Sequence, residues 1–197
     1  MAEKWLVMGL GNPGDRYERT RHNVGQMVVD VLAHRARARF QRHRSRAVVA
    51  PVRIGMLPGG APGPQAILAK STGYMNLSGG PLAALARAEG IEVDRILVIH
   101  DELDLVPFEL RLKLGGGEGG HNGLKSISQH LGSRDYARLR IGIGRPPGQM
   151  DPADYVLREW RGKEAEEALV TVVEAADVVE SVLVNGLAKA QMELHAS

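Results

Sequence analysis

Asn12, His22, Asn23, Asn76, His100, Asp101, His121 and Asn122 are the residues of this sequence best suited to chemistry. Each stands at the end of an apolar run or at the start of a helical pattern, where open α/β sheets gather their sites. A histidine can take a proton near neutral pH. An aspartate beside it can orient the ring and stabilise its charged form, and carboxamides can hold water and an oxyanion. Together these types suffice for water-mediated acyl hydrolysis. Taken singly, each has a plainer role, because Asn and Asp cap helices and fill turns and a lone His is commonly structural.

Other chemistries leave sequence marks that can be checked. "GLGNPG" places Gly9, Gly11 and Gly14 in the G-x-G-x-x-G spacing of a dinucleotide site. Such a site needs its helix to begin inside the glycine motif and an acid to end the second strand. Here "DRYERTRHN" follows Gly14, the amphipathic face starts only near Val24, and Asp30 lies inside that helical pattern. The glycines are therefore expected to shape a turn that aims Asn12. "NLSGG" lacks the first glycine of a serine-hydrolase elbow, so Ser78 is read as a helix N-cap. "HDELD" at 100–104 has no second close histidine for a zinc-hydrolase spacing, and neither metal nor cofactor is expected. The chain has no cysteine, which removes disulfides and thiol nucleophiles and suits a reducing compartment. No secretory pattern opens the sequence and no apolar run reaches about 18 residues, so a cytoplasmic protein without a membrane segment is expected.

The positions of these residues follow from the elements that must carry them. Residues 5–9 read as a buried strand, and Thr20 as the N-cap of a helix over 21–38, with Val24, Met27, Val28, Val31 and Leu32 on one face. "RAVVAPVRIG", "QAILAK", "RILVIHD", "ELRLKL" and "YARLRIGIG" read as strands. Helical patterns follow Ser78, follow the glycine loop "GGGEGGHNG", and cover "DPADYVLREW" briefly. A long amphipathic helix is expected over 164–190, with Ala165, Leu169, Val172, Val173, Ala176, Val179 and Leu183 facing inward. Interleaved strands and helices without a linker predict one α/β domain over 1–197, a twisted mixed β-sheet with helices on both faces.

Charge is uneven. The net formal charge is only +2, yet 34–46 holds six arginines and two histidines with no acid, while acids crowd the C-terminal third. That asymmetry fits either a solvated basic surface or a face for a polyanion.

"GLGNPGDRYERTRHNVG", "GYMNLSGG", "HDELDL", "KLGGGEGGHNGLKSISQHLG" and "RLRIGIGRP" occur in that order. In combination, over about residues 4–190, they resemble the bacterial peptidyl-tRNA hydrolases. The resemblance implies a monomeric, metal-independent α/β enzyme that hydrolyses the ester between a peptide and the 3′ ribose of tRNA, with peptidyl-tRNA and tRNA as partners. It implies His22 as general base, Asp101 as the acid that orients it, and Asn12 as a further member of the catalytic group. Asn76 would hold the acyl end together with Asn12, and Asn122 would position water or substrate. Tyr74 and Met75 would line the peptide cleft, with Tyr17 and His121 also among the substrate-binding residues. Lys113 and Arg140 would clamp a phosphate of the tRNA.

The sequence departs from that family in two loops. Ser71 and Gly73 stand where Pro and Thr are common, which loosens the loop before Asn76. "LVPF" replaces "LPPG" after the aspartate, and because a phenylalanine is costly at φ > 0, Phe108 predicts a different turn. Two rival functions keep the same motifs in view: a non-catalytic RNA-binding protein of this fold, and a dehydrogenase.

Overall fold

The computed structural model describes residues 3–196. In chain order the strands are Trp5–Gly9 (β1), Gln41–His43 (β2), Ala47–Arg53 (β3), Gln65–Ser71 (β4), Ile96–Glu102 (β5), Leu110–Leu114 (β6) and Ala137–Gly142 (β7). They form one seven-stranded sheet in the order β2-β3-β4-β1-β5-β7-β6. The inner strands β4, β1, β5 and β7 run parallel, while β3 and β2 on one edge and β6 on the other pair antiparallel. The architecture is thus the expected mixed α/β sheet.

The strand period of two divides the apolar residues between two layers. Leu6, Met8, Ile67, Ala69, Ile96 and Val98 pack with residues of Gly79–Glu89 and Asn122–Leu131. Val7, Leu68, Leu97, Ile99, Leu139 and Ile141 pack with residues of Val24–Arg35 and Lys163–Asn185. In chain order the helices are Val24–Arg35 (α1), Gly79–Glu89 (α2), Asn122–Leu131 (α3), Pro152–Tyr155 (α4), Lys163–Asn185 (α5) and Leu187–Ala196 (α6). Helices therefore cover both faces of the sheet.

Several local expectations are corrected. The first helix starts at Val24 and ends at Arg35, preceded by a 3₁₀ turn at Arg21–Asn23. Thr20 does not cap it, because its hydroxyl donates to the Tyr17 carbonyl at 2.7 Å. Ser78 occupies the N-cap position of α2 but likewise turns back, donating to the Met75 carbonyl at 2.6 Å. The cap is supplied from α3, where the Ser126 hydroxyl accepts from Gly79 N at 2.9 Å. The C-terminal helix is broken at Gly186, whose φ of 88° no helix tolerates. Within α5 the buried stripe runs through Ala168, Val172, Ala175, Ala176 and Val179, so Leu169 and Val173 face outward. Phe108 nonetheless adopts φ 71°, the conformation its side chain disfavours. Its nitrogen donates to Gly142 O at 2.9 Å and its ring packs 6.2 Å from that of Trp160, contacts that offset a strain of about 1–2 kcal/mol.

Glycine at 9 and 11 answers to close packing. A Cβ on Gly9 would enter the backbone of Gly25, and one on Gly11 would lie 2.7 Å from Asn23 Cγ. The end of β1 is thereby pressed against the start of α1, next to His22.

Candidate active site

The parallel strands end along one edge, and the candidate residues gather there from five segments. Asp101 is the penultimate residue of β5 and is buried. His22 sits in the 3₁₀ turn before α1 and places Nδ1 2.8 Å from Asp101 Oδ2. His121, the N-cap of α3, places Nε2 2.9 Å from Asp101 Oδ1. One carboxylate thus holds two imidazoles, whose ring centroids are 5.0 Å apart.

The tautomers follow from the partners. His121 Nδ1 accepts from Gly123 N at 3.1 Å and more weakly from Leu124 N, so its Nε2 carries the proton donated to Asp101. Both of its ring nitrogens are engaged inside the protein, which leaves only its ring surface for a substrate. His22 has Nδ1 committed to Asp101 and, among the described residues, no partner on Nε2. When the imidazole is neutral and Nδ1–H donates to Asp101, the Nε2 lone pair is free to accept a proton. His100 is a third imidazole nearby, with Nδ1 donating to Asp101 O at 2.8 Å and its ring 5.3 Å from that of His121.

Burial and charge separate these groups. Burial pulls the His22 pKa down, but the charge of Asp101 and its hydrogen bond outweigh that and hold it above 6.5. Burial pushes Asp101 up, while the two histidines it bonds hold it well below the usual carboxylate range. Complete burial, reinforced by His121, pushes His100 down to about 3. His100 is therefore neutral at working pH and buried in the wall of a neighbouring cavity. Of the two imidazoles on the Asp101 carboxylate, His22 is the one with a ring nitrogen left without a protein partner.

Asn12 is fixed with equal care. The Asn23 side chain accepts from Asn12 N and donates to Asn12 O, both at 2.9 Å. Asn12 Oδ1 accepts from Met75 N at 2.7 Å, so its amide NH₂ is left to meet a ligand. This tie draws the segment 74–76 to the end of β1. Asn76 and Tyr74 are exposed there, and Tyr74 meets Tyr17 edge-to-face at 6.3 Å. Met75 departs from its expected place in the cleft wall. It is only 4 % exposed and packs in the α2–α3 core, where a Cβ on Gly123 would lie 2.6 Å from its sulfur.

A cavity of about 150 Å³ lies over the histidine pair, lined by His22, Asp101, His121 and Asn122 with Glu102, Leu103, Gly119, Gly120, Pro152, Ala153 and Val156. Its outer wall is strapped to the turn that carries His22: His22 N donates to Val156 O at 2.8 Å and Arg21 N to Arg158 O at 3.1 Å. Arg21 rivets the strap with its guanidinium 4.5 Å from the Tyr155 ring centre. A larger cavity, about 810 Å³, lies around Arg21, Tyr155 and Trp160 and is lined by neither histidine nor carboxamide.

Lys113 and Arg140 lie on neighbouring strands, two residues apart in register and so on the same face, and line a second cavity of about 240 Å³ that shares Glu102 and Gly119 with the first. Arg140 is not free: Nε and a terminal nitrogen both reach Glu102 Oε1 at 3.1 Å. The glycine loop above is tethered rather than loose. Arg138, buried beneath it, donates to Gly116 O and Gly117 O, and Glu118 pairs with Arg134 at 2.9 Å.

Asn23, Arg21, Glu102 and Arg138 are thus structural members of the site that motif reading did not single out for these roles. Asn23 and Arg21 flank His22 in "TRHN", which was the available signal. The pairing of Arg140 with Glu102 depends on strand register and had none. Among the described residues, His22, Asp101 and His121 also bring ligand-type atoms within 4.8 Å of one another, a set able to hold a metal ion. His121 would first have to give up the Nε2 proton that its helix-capping role assigns to it.

Fold and site together define a mixed α/β protein with a small, buried imidazole–carboxylate centre and, beside it, a cavity lined by Lys113, Arg138 and Arg140. The sequence profile described as peptidyl-tRNA hydrolase matches residues 6–197. The chain is similar to the peptidyl-tRNA hydrolase of Kineococcus radiotolerans, 58 % identical over 100 % of this chain and 99 % of that one. It is 52 % identical to that of Pseudarthrobacter chlorophenolicus over 99 % and 97 % of the two chains. The crystal structure of the Acinetobacter baumannii enzyme superposes with a TM-score of 0.87 at 32 % identity, over 100 % of this chain and 96 % of that one. The chain belongs to the peptidyl-tRNA hydrolase family, and its activity is hydrolysis of peptidyl-tRNA ester bonds. No helix among the described residues is long and apolar enough to cross a membrane.

Proposed function

We propose that this chain hydrolyses peptidyl-tRNA with a water activated by His22. Neutral His22 takes a proton from water at Nε2 as the water oxygen attacks the ester carbonyl. The imidazolium so formed is stabilised by Asp101 and returns its proton to the departing ribose 3′ oxygen. Free tRNA and a peptide carboxylate result, with no covalent enzyme intermediate. Asn12, through its free amide, and Asn76 hold the acyl end, and Asn122 positions the water at the cavity mouth. His121 is a positioning residue that fixes the second carboxylate oxygen of Asp101. Lys113 and Arg140 receive a tRNA phosphate, Arg140 exchanging Glu102 for it. The reaction so drawn needs no residue from a second copy, and the chain is proposed to act as a monomer.

The observation that carries the proposal is the 2.8 Å contact from His22 Nδ1 to a buried, doubly held Asp101, which leaves Nε2 facing a cavity. Release of peptide from peptidyl-tRNA by purified, chelator-treated protein tests it. Full turnover is expected after chelation in the wild type, and loss of turnover in His22→Ala. Activity that vanishes with chelator and returns with zinc would instead assign His22, Asp101 and His121 to a metal.

A further inference from the structure

The arginine-rich segment 34–46 is not one surface but two. Helix α1 runs away from the active edge and carries Arg35 and Arg37 to its far end, about 18 Å from His22. Strand β2 then runs back, antiparallel to β3, which is antiparallel to β4. The turn at residues 44–46 therefore lies at the carboxyl edge of the parallel strands, the edge that carries Asn12, Asn76 and Asp101.

That turn is built rather than loose. His43 Nδ1 accepts from Ser45 N at 3.1 Å and pairs with the Ser45 hydroxyl at 2.8 Å. Arg46 sits at φ 67°, and its carbonyl accepts from both Thr72 N at 3.0 Å and Thr72 Oγ1 at 2.8 Å. Thr72 opens the segment that leads to Tyr74 and Asn76, so the turn is fastened to the acyl-end wall. Arg42, Arg44 and Arg46 are exposed and, among the described residues, have no carboxylate partner. Arg35 contrasts with them, since Asp177 and Glu180 hold it at 2.9 and 3.0 Å.

We infer that the β2–β3 turn, through Arg42, Arg44 and Arg46, is a second phosphate-binding surface that takes the double-helical part of the substrate RNA. Five strand steps separate β2 from β7, about 24 Å at the usual strand spacing. A single phosphate or acyl group cannot bridge that span. A folded RNA laid along the edge can touch Arg140 and Lys113 on one side of the site and the turn on the other. Guanidinium groups suit phosphate oxygens through paired N–H donors, and unpaired arginines need no partner exchange to bind. The partner's identity rests on the hydrolase reading above, whereas the binding measurement needs no hydrolysis.

The test uses the full chain with Arg42 and Arg44 both changed to Gln, with Arg37→Asn as a control at the far end. Deacylated tRNA and a short single-stranded oligonucleotide ending in CCA are titrated over a range of salt. Duplex contacts contribute a slope of about 0.9 each, so the double variant should flatten the tRNA salt slope by about 1–2 and weaken binding several-fold. Its oligonucleotide binding, and both affinities of Arg37→Asn, should match the wild type. An unchanged tRNA slope in the double variant would overturn the inference, as would equal weakening for tRNA and oligonucleotide. An effect of the same size in Arg37→Asn would mean diffuse charge rather than a contact surface, and would overturn it too. A chain that binds in the expected pattern but releases no peptide would leave this surface standing and remove the hydrolytic proposal.

Discussion

The cavity at His22 and the cavity at Lys113 share Glu102 and Gly119 as a common wall, yet they hold their charges differently. In the first, a buried carboxylate is saturated by two imidazoles; a second contact from the α3 backbone sets the His121 ring, and the backbone N–H of His22 is tied to the strap at Val156. In the second, Lys113 is exposed and Arg140 is held by a carboxylate that a phosphate can replace. In the proposed reaction the groups that would move a proton are held in place before substrate arrives, which would avoid reorganisation during reaction. The groups proposed to bind a polyanion are either unpartnered or held by a partner that an anion could displace.

The contrast predicts unequal effects of substitution on the two sides. The largest is His22→Ala, expected to lower kcat by at least ~10²-fold with tRNA affinity retained, as read by single-turnover hydrolysis and titration. Near-normal turnover would move the base elsewhere. His121→Ala comes next. A hydrogen bond to a charged group contributes about 1.5–3 kcal/mol, so kcat should fall ~10-fold or more while KM changes little. An effect confined to thermal stability would reduce His121 to a helix cap.

On the other side, Lys113→Ala should raise KM with kcat kept, and flatten the salt slope by about 0.7, the value for a single-strand phosphate contact. Glu102→Gln should act oppositely, releasing Arg140 and tightening tRNA binding a few-fold. Equal, unchanged slopes in both variants would dissolve the distinction between the cavities. The smallest effect is expected at Phe108→Gly, in the turn that joins Glu102 to the β6 side of the cavity. Relief of strain and loss of packing on Trp160 oppose each other, and urea unfolding should shift by no more than about 1 kcal/mol. A much larger loss would show that the ring, not the turn, holds that edge.

Much of this was legible in the sequence for definite reasons. Strands were found where β-branched runs were long and buried, as in "RILVIHD", and the residues at their ends were the polar ones that the fold gathers. Asn12 was expected to be aimed by the glycine turn, and the glycines prove to admit α1 so that Asn23 can grip it. Strand β2 was hidden because its three residues are polar and mostly exposed, leaving no alternation to read. The His121 cap was missed because caps are sought among Ser, Thr, Asp and Asn. Phe108 defeated a sound steric rule, since a tertiary contact with Trp160 can offset a local cost that no local pattern records.

The coupling of His22 to Asp101 is the centre of the proposed reaction. The measurement is the pH dependence of kcat for peptide release, in the wild type and in Asp101→Asn. A base must be neutral to act, and Asp101 raises the His22 pKa, so wild-type turnover should climb with pH along a limb centred above 6.5. Without the anion, the charged imidazole loses its stabilisation, so the variant should be slower at its plateau and its limb should move to lower pH. Superimposable limbs in the two proteins, or a limb that moves to higher pH in the variant, would contradict it.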